Sequence, residues 1–345
     1  PQEVAWWPAW VILGFAVLAK GPVAVVLSGL ALLMFGALRR DLVQLWRRLR
    51  PLPGLLLTAL ISLPWYALEL LVEGQPFWDS FFGYHNLQRF TSVVNYHLQP
   101  WWFFGPVMLV AALPFTPYLL LGLARVPRSR IAPEHSLHQF AACWLLAVLL
   151  LFTTAATKLP SYWLPATPAA ALLVAQATVG STVGSSRWQR MAWATCLALI
   201  AVLAAGFWLG SLWVPLIEDP EMPTLSVDLL ASGLLKWAAV WFSAAAVLGA
   251  GLLLQRRAAV QALLAMQGCL LGFHLTALVP IAELADRLRQ QPVRDAASLM
   301  LSQQRRGEPM VMVGAMKPSL HFYTGQVILY DCLLYTSPSP RDQEA

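Results

Sequence analysis

Nine apolar runs divide this chain, most of them about twenty residues long and each bounded by polar residues. They lie at 6–19, 22–38, 52–72, 101–123, 137–157, 162–179, 191–213, 234–254 and 258–281. A bilayer core about 30 Å thick is crossed by an α-helix of about 20 mostly apolar residues. The chain is therefore expected to be an all-α polytopic membrane protein, with a bundle of about nine spans over residues 1–281. Composition agrees. Of the 345 residues, 58% are hydrophobic and only 12% are charged, and the mean hydropathy is +0.61. Soluble domains carry about 45–50% apolar and about 25% charged residues. A soluble globular, disordered, nucleic-acid-binding or disulfide-scaffold protein is thereby excluded. The 16 Trp suit long water–lipid boundaries, where amphipathic rings settle. Cys143, Cys196 and Cys269 sit inside apolar runs with no CxxC spacing and read as small core residues.

Basic residues orient the runs. Arg39, Arg40, Arg47, Arg48 and Arg50 follow the second run, and Arg125, Arg128 and Arg130 the fourth. Arg187 and Arg190 follow the sixth, and Arg256 and Arg257 the eighth. Alternate loops are basic, so these are assigned to the cytoplasm and 73–100, 158–161 and 213–233 to the outside. The net charge of +6 does not call for an acidic partner, because most of the arginines sit in these short clusters between apolar runs. After residue 281 the composition changes. A charged helical stretch at 286–306 precedes PMVMVG at 309–314, a short helix at 318–323 and a strand at 327–330. Residues 282–331 are thus expected to be the start of a small extracytoplasmic α/β domain. The chain opens on Pro1 without an initiator Met and is expected to lack N-terminal sequence. CLLYTSPSPRD at 332–342 resembles a translated sequencing-library adaptor, so 332–345 are read as a non-native tail.

Polar residues at the membrane boundary are the candidates for chemistry. Of the four Lys, Lys20 (AKGP) and Lys158 (TKLPSYWLP) each end an apolar run next to Pro, on the side where positive charge is scarce. A snorkelling interfacial Lys is the plain alternative. The loop 73–100 is aromatic-rich and holds Tyr84, His85, Asn86, Arg89, Tyr96 and His97. Phe77, Phe81, Tyr84 and Gln88 recur at α-helical spacing, which predicts an amphipathic helix along the interface, with His85 and Arg89 on one face. Arg89 is again a cation on the sparse side. Lys20, Arg89 and Lys158 therefore fall at one depth on one side, and Arg forks with Lys point charges suit an anionic lipid phosphate. Glu69 and Glu73 stand near the outer end of the third run, and Glu69 is a candidate partner for one of these cations. His85 with His97 could hold a divalent metal, although no ligand spacing supports it. Walker, GxSxG, HExxH and GxGxxG motifs are absent.

At LAKGP (18–22), PWY (64–66), HNLQRF (85–90), the HxxPWWFF stretch (97–104) and TKLPSYWLPATPA (157–169) the chain resembles the polytopic GT-C glycosyltransferases. The branch it is most similar to is the 4-amino-4-deoxy-L-arabinose lipid A transferases, related to protein O-mannosyltransferases. The motifs keep the family's order over about residues 10–180, and KPSLHFYTG at 317–325 fits more loosely. The resemblance implies a GT-C helix bundle in the bacterial inner membrane with its site on the extracytoplasmic side. It implies transfer of a sugar from a polyprenyl-phosphate donor to an extracytoplasmic acceptor: a lipid A-like glycolipid, a polysaccharide or a protein. By resemblance Lys20 and Arg89 contact the donor phosphate, Lys158 and Tyr162 close the same pocket, and Tyr84, His85, Asn86, His97 and Glu69 line it. The family's Glu-His pair before the QRF element is His85–Asn86 here, which departs from a metal site. Its catalytic carboxylate lies in the first external loop, which would precede residue 1, so this stretch alone is expected to be inactive. Two other classes remain open on the residues: a transporter or flippase for an anionic lipid, which calls for charge at mid-span and paired interrupted helices, and a non-catalytic assembly protein.

Overall fold

A computed structural model describes residues 5–93, 98–126, 136–178, 186–255, 259–305, 308–313 and 317–331, apart from the side chains of His85 and Asp331. His97 lies outside the described residues. The chain forms two compact units, Pro1–Leu199 with Ala250–Leu263, and Ile200–Gly249 with Leu264–Ala345.

The first unit opens with α1 (Trp7–Lys20), α2 (Val23–Arg39), α3 (Leu42–Leu49) and α4 (Pro51–Val72). The external stretch follows as α5 (Gln75–Phe77), a π-helix (Trp78–Gln88) and α6 (Arg89–Thr91). Next come α7 (Phe104–Ala111), α8 (Thr116–Ala124), α9 (Ser136–Thr154), a 3-10 turn (Pro160–Ala166), α10 (Thr167–Thr178) and the start of α11 (Arg187–Trp208). Small residues let these helices approach. A Cβ at Gly54 would lie 2.1 Å from the Trp10 ring, and one at Gly122 would lie 2.4 Å from the Leu173 carbonyl oxygen. With no hydrophobic drive between helices inside lipid, such close approach and interhelical hydrogen bonds carry the association. Thr58 Oγ1 donates to Trp10 O (3.0 Å) and Tyr66 Oη to Val17 O (2.7 Å), which ties α4 to α1 at two levels. Tyr118, Leu119, Leu145, Leu173 and Trp193 are buried completely or nearly so.

Polar residues separate to the two ends of this unit. At one end Arg39 Nη1 donates to Gln139 Oε1 (2.8 Å), His138 Nε2 meets Gly122 O (2.8 Å), and Gln189 Nε2 donates to Ala177 O (2.6 Å). Those are the ends of α2, α8 and α10 and the starts of α9 and α11, where the Arg clusters lie. The end of α1, the end of α4 and the π-helix form the other end.

The second unit holds α12 (Gly210–Trp213), α13 (Leu225–Ala231), most of α14 (Leu234–Leu254), α15 (Ala259–Phe273) beyond its first turns, a π-turn (His274–Leu278) and α16 (Val279–Gln303). It closes with β1 (Met310–Val313), α17 (Ser319–Thr324) and β2 (Ile328–Asp331). β1 and β2 pair in parallel with Met310 opposite Ile328, and α17 crosses between them. Ala297, Met310, Leu320 and Ile328 form the buried centre of this small layer, which rests on α16. Glu221, in the acidic stretch before α13, accepts from Arg289 (2.7 Å) and from Lys317. The Lys317 hydrogen bond, followed by the Arg289 charge, holds the Glu221 carboxyl below the usual carboxylate range.

Each of the nine expected runs contains helix, but not nine uniform spans. Five helices are long and apolar enough to cross a membrane by length and composition, or six if the α7–α8 pair counts as one. α1 and α2, at 14 and 17 residues, are shorter apolar helices. The fourth run is broken, because α7 and α8 meet at 116°. Pro114 and Pro117 remove two backbone donors at that point, and Thr116 Oγ1 caps the break by donating to Leu109 O (2.6 Å). The boundary expected at residue 281 is not an element boundary, since the helix runs unbroken from Ala259 to Gln303. Hydropathy changes there, but the backbone has no reason to stop.

Candidate functional site

The external stretch is helical, but not in the expected register. Residues 78–88 form a π-helix, so backbone bonds reach five residues rather than four. The Asn86 side-chain amide donates to Phe81 O (2.6 Å), also five residues back. The wider turn seats Phe77, Phe81 and Phe82 around the buried Tyr66 ring, with centroids 6.4, 5.3 and 5.8 Å away. The α-helical face expected through Tyr84 and Gln88 does not form, and Gln88 is exposed. Aromatic burial against the end of α4 overrides the spacing read from the sequence.

This register sets the surroundings of Arg89. Its guanidinium lies 5.9 Å from the Tyr84 ring centroid, five residues earlier, within cation–π reach. Arg89 Nε is buried with no hydrogen-bond partner among the described residues. A buried donor left unpaired costs about 1–3 kcal/mol, so an acceptor at this position would be favoured.

Lys158 is brought beside Arg89 by the main chain. Thr157 N donates to Arg89 O (3.1 Å) and Ala156 N to Phe90 O (2.9 Å). Thr157 Oγ1 donates to Ser92 O (2.9 Å), and Thr157 bridges Leu98 in an antiparallel pair. A strand-like splice thus joins the end of α6 to the segment after α9. Lys158 is 8% exposed, and its Nζ donates to Ala155 O (2.8 Å). None of the three ion pairs among the described residues involves Lys158. A snorkelling Lys would carry its head into water, whereas this one is enclosed. The turn that follows closes with Tyr162 N on Leu159 O (3.0 Å), and the Tyr162 ring stacks on Phe152 at 4.7 Å.

Lys20 ends α1 and is exposed. Its neighbour Gly21 has φ 78°, and a Cβ there would stand 3.1 Å from the Phe81 ring and 3.4 Å from Asn86 Oδ1. Glycine is needed both for that φ and for the approach. Through it the end of α1 abuts the π-helix, so the backbones carrying Lys20, Asn86, Arg89 and Lys158 meet at one end of the first unit. Glu69 is half-buried on α4 and belongs to none of the ion pairs seen among the described residues.

Among the described residues no group of three or more His, Cys, Asp or Glu side chains could hold a metal ion. Asn86, at the position of the resembling family's His, spends its amide on the Phe81 carbonyl. The His85 side chain and all of His97, the pair expected to hold a metal, lie outside the described residues. Two contributors were not singled out as site residues from sequence: Tyr66, which seats the π-helix, and Thr157, which staples the splice. Both lie inside quoted motifs, PWY and TKLPSYW, but their roles depend on contacts across 49 and 65 residues.

Residues 303–336 match the family of the Cyanobacterial RgtA-type glycosyltransferase, C-terminal domain, a match that reaches into the stretch read above as foreign. Over 241 residues, 67% of this chain and 42% of the relative, the chain is 31% identical to the undecaprenyl phosphate-alpha-4-amino-4-deoxy-L-arabinose arabinosyl transferase of Erwinia tasmaniensis. It is 34% identical over 180 residues to the transferase of the same name from Pseudomonas paraeruginosa, covering 49% of this chain and 31% of that one. The chain therefore spans less than half the length of these relatives. Among solved structures it resembles ArnT from Cupriavidus metallidurans, in crystals bound to undecaprenyl phosphate and in the apo state. Each superposes with a TM-score of 0.71 at 24% identity over 94% of this chain and 56% of that one.

Proposed function

Because the chain belongs to the GT-C glycosyltransferase family, of the 4-amino-4-deoxy-L-arabinose transferase type, we propose that it is part of a multi-pass membrane enzyme that transfers a sugar from a polyprenyl-phosphate donor. The acceptor is an extracytoplasmic glycolipid of lipid A type, a polysaccharide or a protein, and the enzyme works on the outer face of the bacterial inner membrane. The observation that carries this reading is the splice between Arg89–Ser92 and Ala156–Lys158. It joins the backbones of Lys158, whose ammonium is enclosed, and of Arg89, whose buried Nε has no partner among the described residues. As the sugar leaves, negative charge grows on the polyprenyl phosphate, and preorganised cations in a water-poor site stabilise that charge more than they stabilise the intact donor. Arg89 supplies a fork and Lys158 a point charge. Lys20 adds a third cation from the end of α1, Tyr162 closes the pocket, and Tyr84 steadies the Arg89 head. No general base is assigned to a residue of this chain.

Lys158→Met tests the reading and separates it from a structural role. Methionine keeps the volume and removes an enclosed charge that no acid balances among the described residues, so the melting temperature should hold or rise. Transfer from a polyprenyl-phosphate donor by the full-length protein should fall by roughly 10- to 100-fold, from about 1.5–3 kcal/mol lost with a charged hydrogen bond. A drop in melting temperature with normal transfer per folded molecule would make Lys158 a structural residue.

Sidedness has its own test. A single Cys replacing Pro220, beside Glu221, should react with an impermeant maleimide added outside intact cells, and one replacing Gln44 on α3 should react only after the cells are opened. The reverse pattern would move the site to the cytoplasmic face.

A further inference from the structure

We propose that α3, with the arginines around it, is a docking surface for anionic phospholipid head groups at the end of the first unit remote from the donor site. α2 runs between the two places, and its 17 residues span about 26 Å at 1.5 Å per residue.

α3 is built unlike its neighbours. It reads LVQLWRRL, and no residue in it is buried. At about 100° per residue, Leu42, Leu45, Trp46 and Leu49 share one face with Val43 at its edge, while Gln44, Arg47 and Arg48 take the other. Part of the apolar face is used within the protein. Leu42 and Leu45 close over Gly36, where a Cβ would stand 2.6 Å and 3.1 Å from their methyl groups. Trp10 Nε1 donates to Leu49 O (2.8 Å) and pins the far end. What remains outward is a wedge of Leu42 (44% exposed), Val43 (69%) and Trp46 (60%).

Charge identifies the occupant. Arg40, Arg47, Arg48 and Arg50 are exposed around this wedge, and Asp41 is the one acid among residues 39–50. Arg39 is engaged by Gln139 and the Phe35 ring. Arg40 and Arg50, with φ of 55° and 46°, turn the chain sharply into and out of α3. α2 enters and α4 leaves, and both are apolar, so α3 sits where the membrane ends. An apolar wedge bordered by guanidinium forks at that depth matches a bilayer surface bearing phosphate monoanions. The wedge enters the acyl boundary and the forks hold head-group oxygens. A soluble protein partner would leave the wedge's fit to the membrane boundary without a purpose.

The full chain is placed in nanodiscs of phosphatidylcholine alone and of phosphatidylcholine with phosphatidylglycerol, and hydrogen exchange is followed by mass spectrometry. Amides of 42–50 should exchange several-fold more slowly in the anionic discs, with α14 amides unchanged between the two. Each arginine near an anionic surface contributes roughly fivefold in binding, so Arg47→Gln with Arg48→Gln should remove most of the difference. Salt at about 0.5 M should do the same to the unaltered chain, because it shortens the screening length to a few ångströms. The salt arm needs no variant to fold. Equal exchange in the two discs overturns the proposal. So does a difference that survives salt or the double substitution.

Discussion

On the proposed function, Arg89→Lys in the full-length protein is expected to slow sugar transfer by roughly 10- to 100-fold at unchanged expression and membrane insertion. Lysine keeps the charge but cannot offer the paired N–H geometry that a phosphate accepts. The lost charged hydrogen bond, about 1.5–3 kcal/mol, converts to that range at about 1.4 kcal/mol per tenfold. Arg89→Ala falls further, by about 10²–10³, the scale of removing one preorganised donor from a developing oxyanion. Insertion is unaffected because Arg89 belongs to the three-residue α6 outside the long apolar helices, and what it gives the fold is its backbone carbonyl to Thr157. That bond survives any side-chain change. The check is transfer from a polyprenyl-phosphate donor in membranes carrying equal amounts of each variant. Wild-type rates for Arg89→Lys would return Arg89 to an interfacial, snorkelling role. The Tyr84 ring and the buried Nε argue against that role, since a snorkelling guanidinium keeps its nitrogens in water.

Gly122→Ala destabilises the first unit by about 1–3 kcal/mol, and the melting temperature drops by several degrees. The added methyl would sit 2.4 Å from Leu173 O and 2.9 Å from Leu173 C, backbone atoms of α10 that have no rotamer to escape into. α8 and α10 must therefore move apart. That motion also pulls on the Gly122 carbonyl, which meets His138 Nε2. Gly29→Ala is the control. Gly29 lies inside α2 with nothing within 4 Å of a built Cβ, and alanine is favoured over glycine in a helix by about 0.5–1 kcal/mol. Melting curves in one detergent should place Gly122→Ala below the unaltered protein and Gly29→Ala at or above it. Equal curves for the two variants would mean that α8 and α10 are not in close contact.

The membrane class, the helical content and the segregation of arginine into alternate polar stretches were all legible in the sequence. These properties are local sums: about twenty apolar residues make a helix that can cross a bilayer wherever the rest of the chain goes, and a cluster of arginines marks its own loop. The motifs around Lys20, Arg89 and Lys158 were legible for the same reason, and the resemblance they carried agrees with the relatives and the GT-C fold. Only the tertiary structure decided how those motifs meet. Hydrogen bonds from Ala156 and Thr157 to Phe90, Arg89 and Ser92 set the splice, across 65 residues for the Thr157 hydroxyl, and no periodicity records such pairs. Lys158 could be read as a Lys beside Pro, but its enclosure depends on what folds over it. The π register follows from three Phe rings finding Tyr66, a contact between elements that outweighs the α-helical spacing within one. The 116° break between α7 and α8 lies inside a run whose hydropathy is continuous. Hydropathy measures transfer into lipid and is indifferent to direction, whereas prolines and long-range hydrogen bonds set direction.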